Sequence, residues 1–278
     1  MNPTGRPPAR GGVVARKIIL KDAVPAGEYY AGRSGDSPFT PGERLAAGTP
    51  LGRPVPAWTF PNVRTERAIP FEYQVLLDDD RLVVVDKPHF LPSTPNGRLV
   101  KETVQTRLRA TYGEDITVVH RLDRATAGIL LAVKRPEHRR PYQELFAKRA
   151  VKKWYRARVT GPLGADSWAR VDLPLRKVGR KVVVDKQGTM TTTWLRAAGD
   201  NVVELMPVTG HTHQLRVVCA HFGAPIVGDD LYPHERPLNL DDFTQPLHLV
   251  AEAMEFADPI DGSTRKMSSF MHLPDRLG

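Results

Sequence analysis

The most unusual stretch of the sequence places Asp123 between Arg121 and Arg124, in a predicted turn between two apolar segments. Arginine keeps its charge at any working pH, so the carboxyl group of Asp123 is expected to stay ionised. An ionised carboxylate can act as a nucleophile or an electrostatic stabiliser, but not as a general acid. The ordinary alternative is a turn aspartate that accepts local backbone N–H groups, and the residues alone leave both interpretations open.

A second candidate stretch, HTHQLR at residues 211–216, opens a predicted helix. Helix N-termini attract anions, and the guanidinium of Arg216 can hold a carboxylate in bidentate fashion. The ordinary alternative is an amphipathic helix with an exposed arginine.

The same region suggests a metal site, because His211, His213, Cys219 and His221 lie within eleven residues. Such a site would favour a metal-dependent hydrolase. The spacing H-x-H-x5-C-x-H matches no standard zinc pattern, and His213 and Cys219 would point to different faces of a helix. We therefore expect no metal.

Composition narrows the class of protein. The 278 residues include 40 Lys and Arg against 31 Asp and Glu, a formal net charge of +9, which favours nucleic acid over a membrane surface as partner. The single cysteine excludes a disulfide-stapled secreted domain. No apolar run approaches the roughly 18 residues of a membrane span, and no signal peptide is recognisable. We expect a cytoplasmic protein.

Residues 1–69 differ in composition from residues 70–278. Ten of the 25 prolines and nine of the 22 glycines lie before residue 69, which argues against long helices or central strands there. We expect a basic, loosely structured N-terminal extension in which KIIL at 17–20 forms at most a single strand. A flexible tail without a role is the alternative. Residues 70–278 are predicted to form the catalytic domain.

Hydrophobic patterns predict more strands than helices after residue 70. Because the strands do not alternate regularly with long helical crossovers, we expect an α+β fold with a mixed, mostly antiparallel sheet and flanking helices. The predicted helices include Val100–Leu108, a segment opened by Pro136, and 211–222. The predicted strands are 82–85, 116–119, 128–133, 151–160, a segment near 182, 191–195, 202–206 and 247–256.

Residues 134–158 carry ten basic and two acidic side chains, with Trp154 and Tyr155 among them. A solvated charged surface is the ordinary interpretation. The alternative is a groove that follows a nucleic-acid backbone and offers aromatic rings for stacking.

Four segments together resemble the RluA-type RNA pseudouridine synthases, in that family's order and approximate spacing. They are DRLVVVDKP, HRLDRATAGILLAVKR, KKWYRARVTG and TGHTHQLRVVCAHFGAPIVGDDLY. The resemblance covers about residues 71–273 and includes the late segment PLHLVAEAMEFADPIDG. It implies a uridine isomerase acting on RNA, a mixed sheet with a central RNA-binding cleft, and neither cofactor nor metal.

The resemblance implies a role for individual residues. Asp123 matches the family's catalytic aspartate, Tyr155 the tyrosine that packs against the target base, and Arg216 the arginine that pairs with the aspartate. Leu215 matches the apolar residue beside that arginine. Arg121 matches the arginine that helps to fill the gap left by the flipped nucleotide.

Lys87 lies in the first family segment, where the implied role is largely structural support. His120 and Arg124, beside the aspartate, are further candidates for substrate binding. The family usually has Ser where Ala127 stands and Arg where His211 stands. Residues 1–68 also lack the helical pattern of the S4-type domain that many relatives carry.

The implied partner is ribosomal or transfer RNA, with no membrane and no obligatory protein partner, and a monomer is expected. The alternative is a non-catalytic RNA-binding protein that kept the fold. Such a protein would have lost the aspartate or the tyrosine, yet Asp123, Tyr155 and Arg216 are all present.

Overall fold

The structure is a computed structural model that describes residues 3–63, 65–237 and 239–274. Over these residues, backbone hydrogen bonds define fifteen strands and three helices. In chain order they are β1 (Arg16–Leu20), β2 (Tyr29–Ala31), β3 (Arg44–Leu45), β4 (Val55–Thr59), β5 (Gln74–Asp78), β6 (Leu82–Lys87), α1 (Val104–Tyr112), β7 (Thr117–Val118), β8 (Ala127–Val133), α2 (Pro136–Ala147), β9 (Lys152–Arg158), β10 (Ala169–Val178), β11 (Lys181–Val184), β12 (Thr189–Ala197), β13 (Val202–Pro207), α3 (Gln214–His221), β14 (Leu249–Ala257) and β15 (Thr264–Ser268).

The chain divides into two compact units. The first comprises residues 1–66 and 95–116, and the second comprises residues 67–94 and 117–278. Among the described residues, no helix is long and apolar enough to cross a bilayer.

The first unit contains a four-stranded antiparallel sheet with the order β1-β4-β2-β3. One face of this sheet covers a small core that includes Leu20, Ala31, Val55 and Ala57. The strand predicted at residues 17–20 is confirmed as β1. The expectation of a loosely structured extension is wrong for these residues, because they form a sheet with its own buried apolar cluster.

The prediction from proline content failed here because Pro56 occupies a strand position that tolerates proline. Pro56 lies in the inner strand β4, opposite Ile19 of β1. Its carbonyl accepts a hydrogen bond from the N–H of Gly32, one residue beyond the end of β2. The missing N–H of Pro56 therefore removes a bond at the end of the ladder, not in its middle.

Helix α1 also belongs to the first unit. It begins at Val104, later than the predicted start at Val100, because Thr103 caps it: the Thr103 hydroxyl accepts the N–H of Thr106 at 3.1 Å. Gly113, with φ of 92°, ends the helix, as predicted from the sequence.

The second unit contains an eleven-stranded sheet. Its order is β11-β10-β12-β13-β9-β14-β8-β6-β5, with β15 added to β14 and β7 added to β8. Of the strand pairs in the described residues, β14 with β8 is parallel and the others are antiparallel. This confirms the predicted α+β fold with a mixed, mostly antiparallel sheet.

Strand β14 is where this sheet divides. Along one edge β14 pairs with β9; along the other it pairs with β8 at Val250 and Ala251, and with β15 from Ala253 to Ala257. Strands β6 and β8 are buried along their whole length, as their β-branched and apolar runs predict.

Besides β2, β3 and β4 of the first unit, three strands were not predicted. β5 is exposed or half-buried along its whole length. β10 combines charged residues with Pro174 and is mostly exposed or half-buried, so its sequence shows no clean alternation. β15 is likewise only partly buried at the edge of β14. Helix α2 begins at Pro136 as predicted, and α3 lies within the predicted range 211–222.

Gly128 permits the parallel contact between β8 and β14. Its φ is 111°, and a Cβ atom at this position would lie 2.3 Å from the carbonyl oxygen of Ala251. Only glycine fits such an approach of two backbones without strain.

We predict that Gly128→Ala lowers the free energy of unfolding by at least about 3 kcal/mol, because the unfavourable φ and the backbone clash add together. Chemical denaturation of the full chain measures this. Gly161→Ala is the matched control, since nothing lies within 4 Å of its added Cβ, and a change within about 0.5 kcal/mol is expected there. Equal effects at the two positions would contradict the structural role of Gly128.

Candidate active site

Asp123 lies in the loop that joins β7 to β8, and the backbone on both sides of it is fixed. The hydroxyl of Ser93 accepts the N–H of Leu122 at 3.0 Å and donates to the Leu122 carbonyl at 2.9 Å. Nδ1 of His89 lies 2.7 Å from the carbonyl oxygen of Ala125. Burial lowers the pKa of His89 to about 4, so the ring is neutral and its Nδ1–H donates to this carbonyl. The Asp123 carboxylate is therefore presented by an anchored loop.

Lys87 supports the same loop from the interior. Its Nζ donates to the carbonyl oxygens of Pro88, Leu91 and Arg124 at 2.9, 2.7 and 3.2 Å. The side chain is fully buried, and burial lowers the pKa of Lys87 to about 7. The lysine is a hydrogen-bonding support for the backbone beside Asp123.

A cavity of about 750 Å³ opens above this loop. It brings together Asp123, Tyr155 and Arg216, which are far apart in sequence. Arg121, His120 and Leu215 line the same cavity.

Arg216 is the cation nearest to Asp123. Its Nη1 lies 3.9 Å from Oδ2 of Asp123. Its strongest bonds are with Asp229, to which Nε and Nη2 donate at 2.8 and 2.5 Å, and Nη2 also donates to Asp230 at 2.6 Å. The guanidinium is only 4% exposed, and these carboxylates raise its pKa above its ordinary value despite burial. Arg216 therefore stays charged and holds one N–H edge toward Asp123.

Helix α3 presents Arg216 because its first residue is tied to the sheet. The amide of Gln214 donates to the carbonyl of Thr192 at 3.0 Å and to the hydroxyl of Thr193 at 2.8 Å. Its oxygen accepts the hydroxyl of Thr209 at 2.8 Å and the N–H of His211 at 3.1 Å. All four hydrogen-bonding positions of this buried amide are satisfied, which fixes where the helix begins.

Tyr155 comes from β9, in the middle of the sheet. It pairs with Leu205 of β13 and with Ala251 of β14. Burial, with the Asp123 charge as a second cause, raises the pKa of the Tyr155 phenol well above its ordinary value. The ring is therefore a rigid, neutral wall of the cavity.

His213 is a residue of this site that sequence reasoning considered only as a metal ligand. Its Nε2 lies 3.9 Å from Oδ2 of Asp123, and its Nδ1 lies 3.0 Å from the hydroxyl of Tyr232. That hydroxyl accepts the N–H of Val182 at 2.8 Å, which leaves its own proton for Nδ1. Burial lowers the pKa of His213 below 6.5, so the neutral ring carries its proton on Nε2, facing Asp123.

The other predicted substrate-binding residues occupy different positions relative to the cavity. Arg121 is exposed at the cavity. His120 stacks on Phe146, with ring centroids 4.5 Å apart, and its Nε2 accepts the N–H of Leu131. Burial lowers the pKa of His120 to about 3. His120 therefore supports the loop as a neutral ring.

Arg124 is not among the described residues that line the cavity. Its guanidinium donates to the carbonyl of Leu240 at 2.8 Å and lies 5.4 Å from the centre of the Phe90 ring. Lys87 likewise lies outside the lining, beneath the loop. The structure thus groups six of the eight predicted site residues around one cavity.

The charged side chains that line this cavity are mostly basic. Lysines and arginines contribute five of its described lining residues, whereas Asp123 is its one acidic lining residue. The five are Arg121, Arg149, Lys153, Lys177 and Arg216. Of the ten basic side chains in the run 134–158, Arg149 and Lys153 are the two among the described lining residues.

The histidine and cysteine residues near α3 do not converge. Cys219 is completely buried in an apolar cluster with Leu205 and Val218, and burial raises its thiol pKa to about 12. In the described part of the chain, no group of three or more His, Cys, Asp or Glu side chains is arranged to hold a metal ion.

Asp229, Tyr232 and Lys153 were also missed as site residues by sequence reasoning. The one signal for the first two was their position in GDDLY, at the end of the fourth family segment. Lys153 stands two residues before Tyr155, so alternation along β9 places both on one face.

Comparisons with known proteins agree on one family. The family model described as RNA pseudouridylate synthase matches residues 81–221. The chain is 34% identical over 201 residues to "Dual-specificity RNA pseudouridine synthase RluA" of Vibrio vulnificus (strain CMCP6), which covers 67% of this chain and 78% of that protein. Its identity to the protein of the same name from Escherichia coli (strain K12) is 36% over 204 residues, covering 68% and 89%.

A solved structure, "Human RNA Pseudouridylate Synthase Domain Containing 4", has a similar fold. The match has a TM-score of 0.56 and 26% sequence identity, and it covers 72% of this chain and 88% of that one.

We predict that Asp229→Asn lowers the free energy of unfolding by about 3–5 kcal/mol, because it leaves the buried Arg216 charge with weaker compensation. Asp230→Asn is the control at the same guanidinium. The Asp230 side chain is 32% exposed, whereas that of Asp229 is fully buried, so a loss below about 1 kcal/mol is expected there. Denaturant titration of both variants measures the difference, and equal losses would contradict the dominant role of Asp229.

Proposed function

The chain belongs to the RluA-type family of RNA pseudouridine synthases, and on this premise we propose that Asp123, Tyr155 and Arg216 form its catalytic centre. The family assignment makes the protein an isomerase that converts uridine in RNA to pseudouridine. The observation that carries the proposal is that a carboxylate, a phenol and a buried guanidinium line a single cavity.

Conversion of uridine to pseudouridine breaks the bond between N1 of uracil and C1′ of ribose, turns the base, and joins C5 to C1′. N1 gains a proton and C5 loses one, so no atom is added overall. The Asp123 carboxylate can attack C1′, stabilise positive charge there, or remove a proton from the sugar. The anchored loop would hold it at C1′ in each of these routes.

The target nucleotide must leave its stacked position to reach the cavity, at a cost of a few kcal/mol. We assign to Arg121 the filling of the gap that the flipped nucleotide leaves in the RNA, because Arg121 is an exposed cation at the cavity. His120 and Arg124 would contribute by holding the loop and its surroundings, His120 through its bond to Leu131.

The detached uracil must remain bound while it turns. The Tyr155 ring and Leu215 provide two apolar walls of the cavity. Because burial keeps the Tyr155 phenol protonated, it can pack against the base without placing a second negative charge beside Asp123.

Arg216 would orient the Asp123 carboxylate and offset its negative charge. Its remaining bonds to Asp229 and Asp230 hold the guanidinium in place when Asp123 engages the substrate. His213, with Nε2–H facing Asp123, would supply a second donor on the same side.

We assign the reaction to residues 70–278 and the target uridine to ribosomal or transfer RNA, in a cytoplasmic monomer. The two bacterial relatives named above are called "dual-specificity" enzymes, which supports testing both RNA classes. Mapping pseudouridine in total RNA from cells with and without the gene would identify the modified nucleotide. A non-catalytic RNA-binding protein has no feature in its favour, since all three proposed catalytic residues line the cavity.

We predict that Asp123→Asn abolishes tritium release from RNA carrying 5-tritiated uridine, while RNA affinity changes by less than about threefold, because the substitution removes the charge but keeps the shape. Asp230→Asn, which touches Arg216 from the other side, should retain most of the activity. Isomerase activity in Asp123→Asn would overturn the role of this residue, and its absence from the wild-type protein would overturn the catalytic proposal.

Lys153 predicts a pH dependence of RNA binding. It lines the cavity, and burial lowers its pKa to about 8. The ammonium is charged below this pKa, and bound phosphate favours the charged form, so affinity should fall as the pH rises above 8. The expected loss of RNA affinity is roughly tenfold, because one charge-assisted contact contributes about 1.5 kcal/mol.

Fluorescence anisotropy between pH 7 and 9, on the Asp123→Asn background so that no substrate is consumed, measures this loss. Lys153→Arg is the matched control, because arginine keeps its charge throughout this range. An identical pH response in the lysine and arginine proteins would exclude Lys153 as its cause.

A further inference from the structure

The four-stranded sheet of the first unit has two very different faces. Ile18, Ala31 and Ala57 belong to the face that packs on the small core. The opposite face carries Lys17, Trp58, Tyr30 and Arg44, whose side chains alternate away from that core.

Strand register places these four residues in one row. Lys17 of β1 is opposite Trp58 of β4, Trp58 is opposite Tyr30 of β2, and Tyr30 is opposite Arg44 of β3. Neighbouring strands lie roughly 4.8 Å apart, so the row extends about 14 Å across the sheet. Two aromatic rings therefore lie side by side with a cation at each end.

The polar atoms of both rings already have partners. The indole N–H of Trp58 donates to the carbonyl of Thr4 at 3.1 Å. The Tyr30 hydroxyl bonds to Glu28 and accepts from Arg10 at 2.9 Å. Both rings remain partly exposed, so what they offer to a ligand is their carbon surface.

Charge at this face favours a polyanion. Lys17 and Arg44 are exposed, and neither forms an ion pair with a described residue within 4.0 Å. The nearby carboxylate of Glu28 is neutralised by Arg10, at 2.6 and 2.7 Å. Residues 1–66 as a whole carry nine basic and five acidic side chains.

We propose that this row, named the Lys17–Arg44 row, is a second RNA-binding site, at which bases of a single-stranded segment stack on Trp58 and Tyr30 while phosphates contact Lys17 and Arg44. Stacking on protein aromatic rings with flanking cations is how sheets bind single strands without strict sequence preference. The inference rests on the proposed function in one respect, that the ligand is the enzyme's RNA substrate.

A cross-strand aromatic pair can also serve only to stabilise a sheet. Two features favour a ligand-binding role for the row. A cation lies at each of its ends, and Ile19, beside the row on β1, is 54% exposed.

The first test exchanges the two cations. We expect Lys17→Glu with Arg44→Glu to weaken binding of a single-stranded RNA oligonucleotide by the full-length protein at least tenfold. It should also reduce the log–log salt slope by about 1.4, the value for two lost phosphate contacts at about 0.7 each. Arg16→Glu with Arg33→Glu is the charge-matched control, because both arginines are exposed and lie outside the row. Equal weakening in the two double variants would overturn the site.

The second test concerns the ring. Trp58→Leu should weaken RNA binding roughly 5- to 100-fold, since stacking contributes about 1–3 kcal/mol per base, whereas Trp58→Phe should retain most of the affinity. Thermal melting confirms that both variants fold. If folded Trp58→Leu binds RNA as the wild type does, the row is structural and the proposal fails. If instead sedimentation shows that Trp58→Leu dissociates an oligomer without changing RNA affinity, the face binds a second copy of the chain and the proposal fails.

Turnover separates this inference from the proposed function. With substrate RNA, the charge-exchange variant should raise KM and leave kcat at saturating RNA within about twofold, because none of the four residues of the row is among the described residues that line the cavity around Asp123. A wild-type protein that binds RNA but releases no tritium would defeat the catalytic proposal alone. An active protein with unchanged KM in the charge-exchange variant would defeat the Lys17–Arg44 row alone.

Discussion

The buried guanidinium of Arg216 constrains the site more than any other group, because a charge removed from water must be matched by partners within the protein. Asp229 accepts two of its N–H groups at 2.8 and 2.5 Å, and Asp230 accepts a third contact at 2.6 Å. Asp123 is farther away, at 3.9 Å from Nη1. The position of the cation is therefore set without Asp123. The Asp123 carboxylate can approach a substrate atom while the ion pair between Arg216 and Asp229, which holds α3, stays intact. If Asp123 were the partner that held Arg216, its movement would break the pair.

In the Asp123 loop, too, the residues that support the backbone differ from the residue proposed to act on the substrate. Ser93 and Lys87 bind backbone atoms of the residues beside Asp123, and neither bonds to its carboxylate. His213 receives its orientation from Tyr232, whose hydroxyl is itself oriented by the N–H of Val182. Asp123 and His213 are thus positioned by contacts behind them. Such an arrangement lowers the reorganisation needed when charge develops at C1′.

Sequence alone predicted the buried strands, since uninterrupted β-branched and apolar runs such as β6 and β8 have few alternatives. It also singled out Asp123 as a candidate, because a carboxylate among arginines is conspicuous. The residues alone offered Arg121 and Arg124 as neighbours for that charge, whereas the family resemblance implied Arg216. In the structure Arg124 donates to the carbonyl of Leu240, and tertiary packing brings Arg216 to 3.9 Å from Asp123. Asp229 was missed for the same reason, because only the fold shows that its side chain is fully buried. The sheet of the first unit was missed because proline content describes composition, not position, and Pro56 lies where β2 has already ended.

The distribution of charge shows why net charge alone does not locate an RNA-binding surface. Within the basic run 134–158, five of the ten cations have carboxylate partners among the described residues: Lys134 with Asp78, Arg140 and Lys148 with Glu144, Lys152 with Glu255, and Arg156 with Glu204 and Glu252. Paired surface charges have little field beyond a Debye length of about 8 Å. Arg149 and Lys153, by contrast, line the cavity beside Asp123, and they can act on a phosphate that approaches it. Five cations of the run are thus paired at the surface, and two face the candidate active site. For Lys152 and Arg156 of β9, the pairing follows from the acidic side chains that β13 and β14 place beside them.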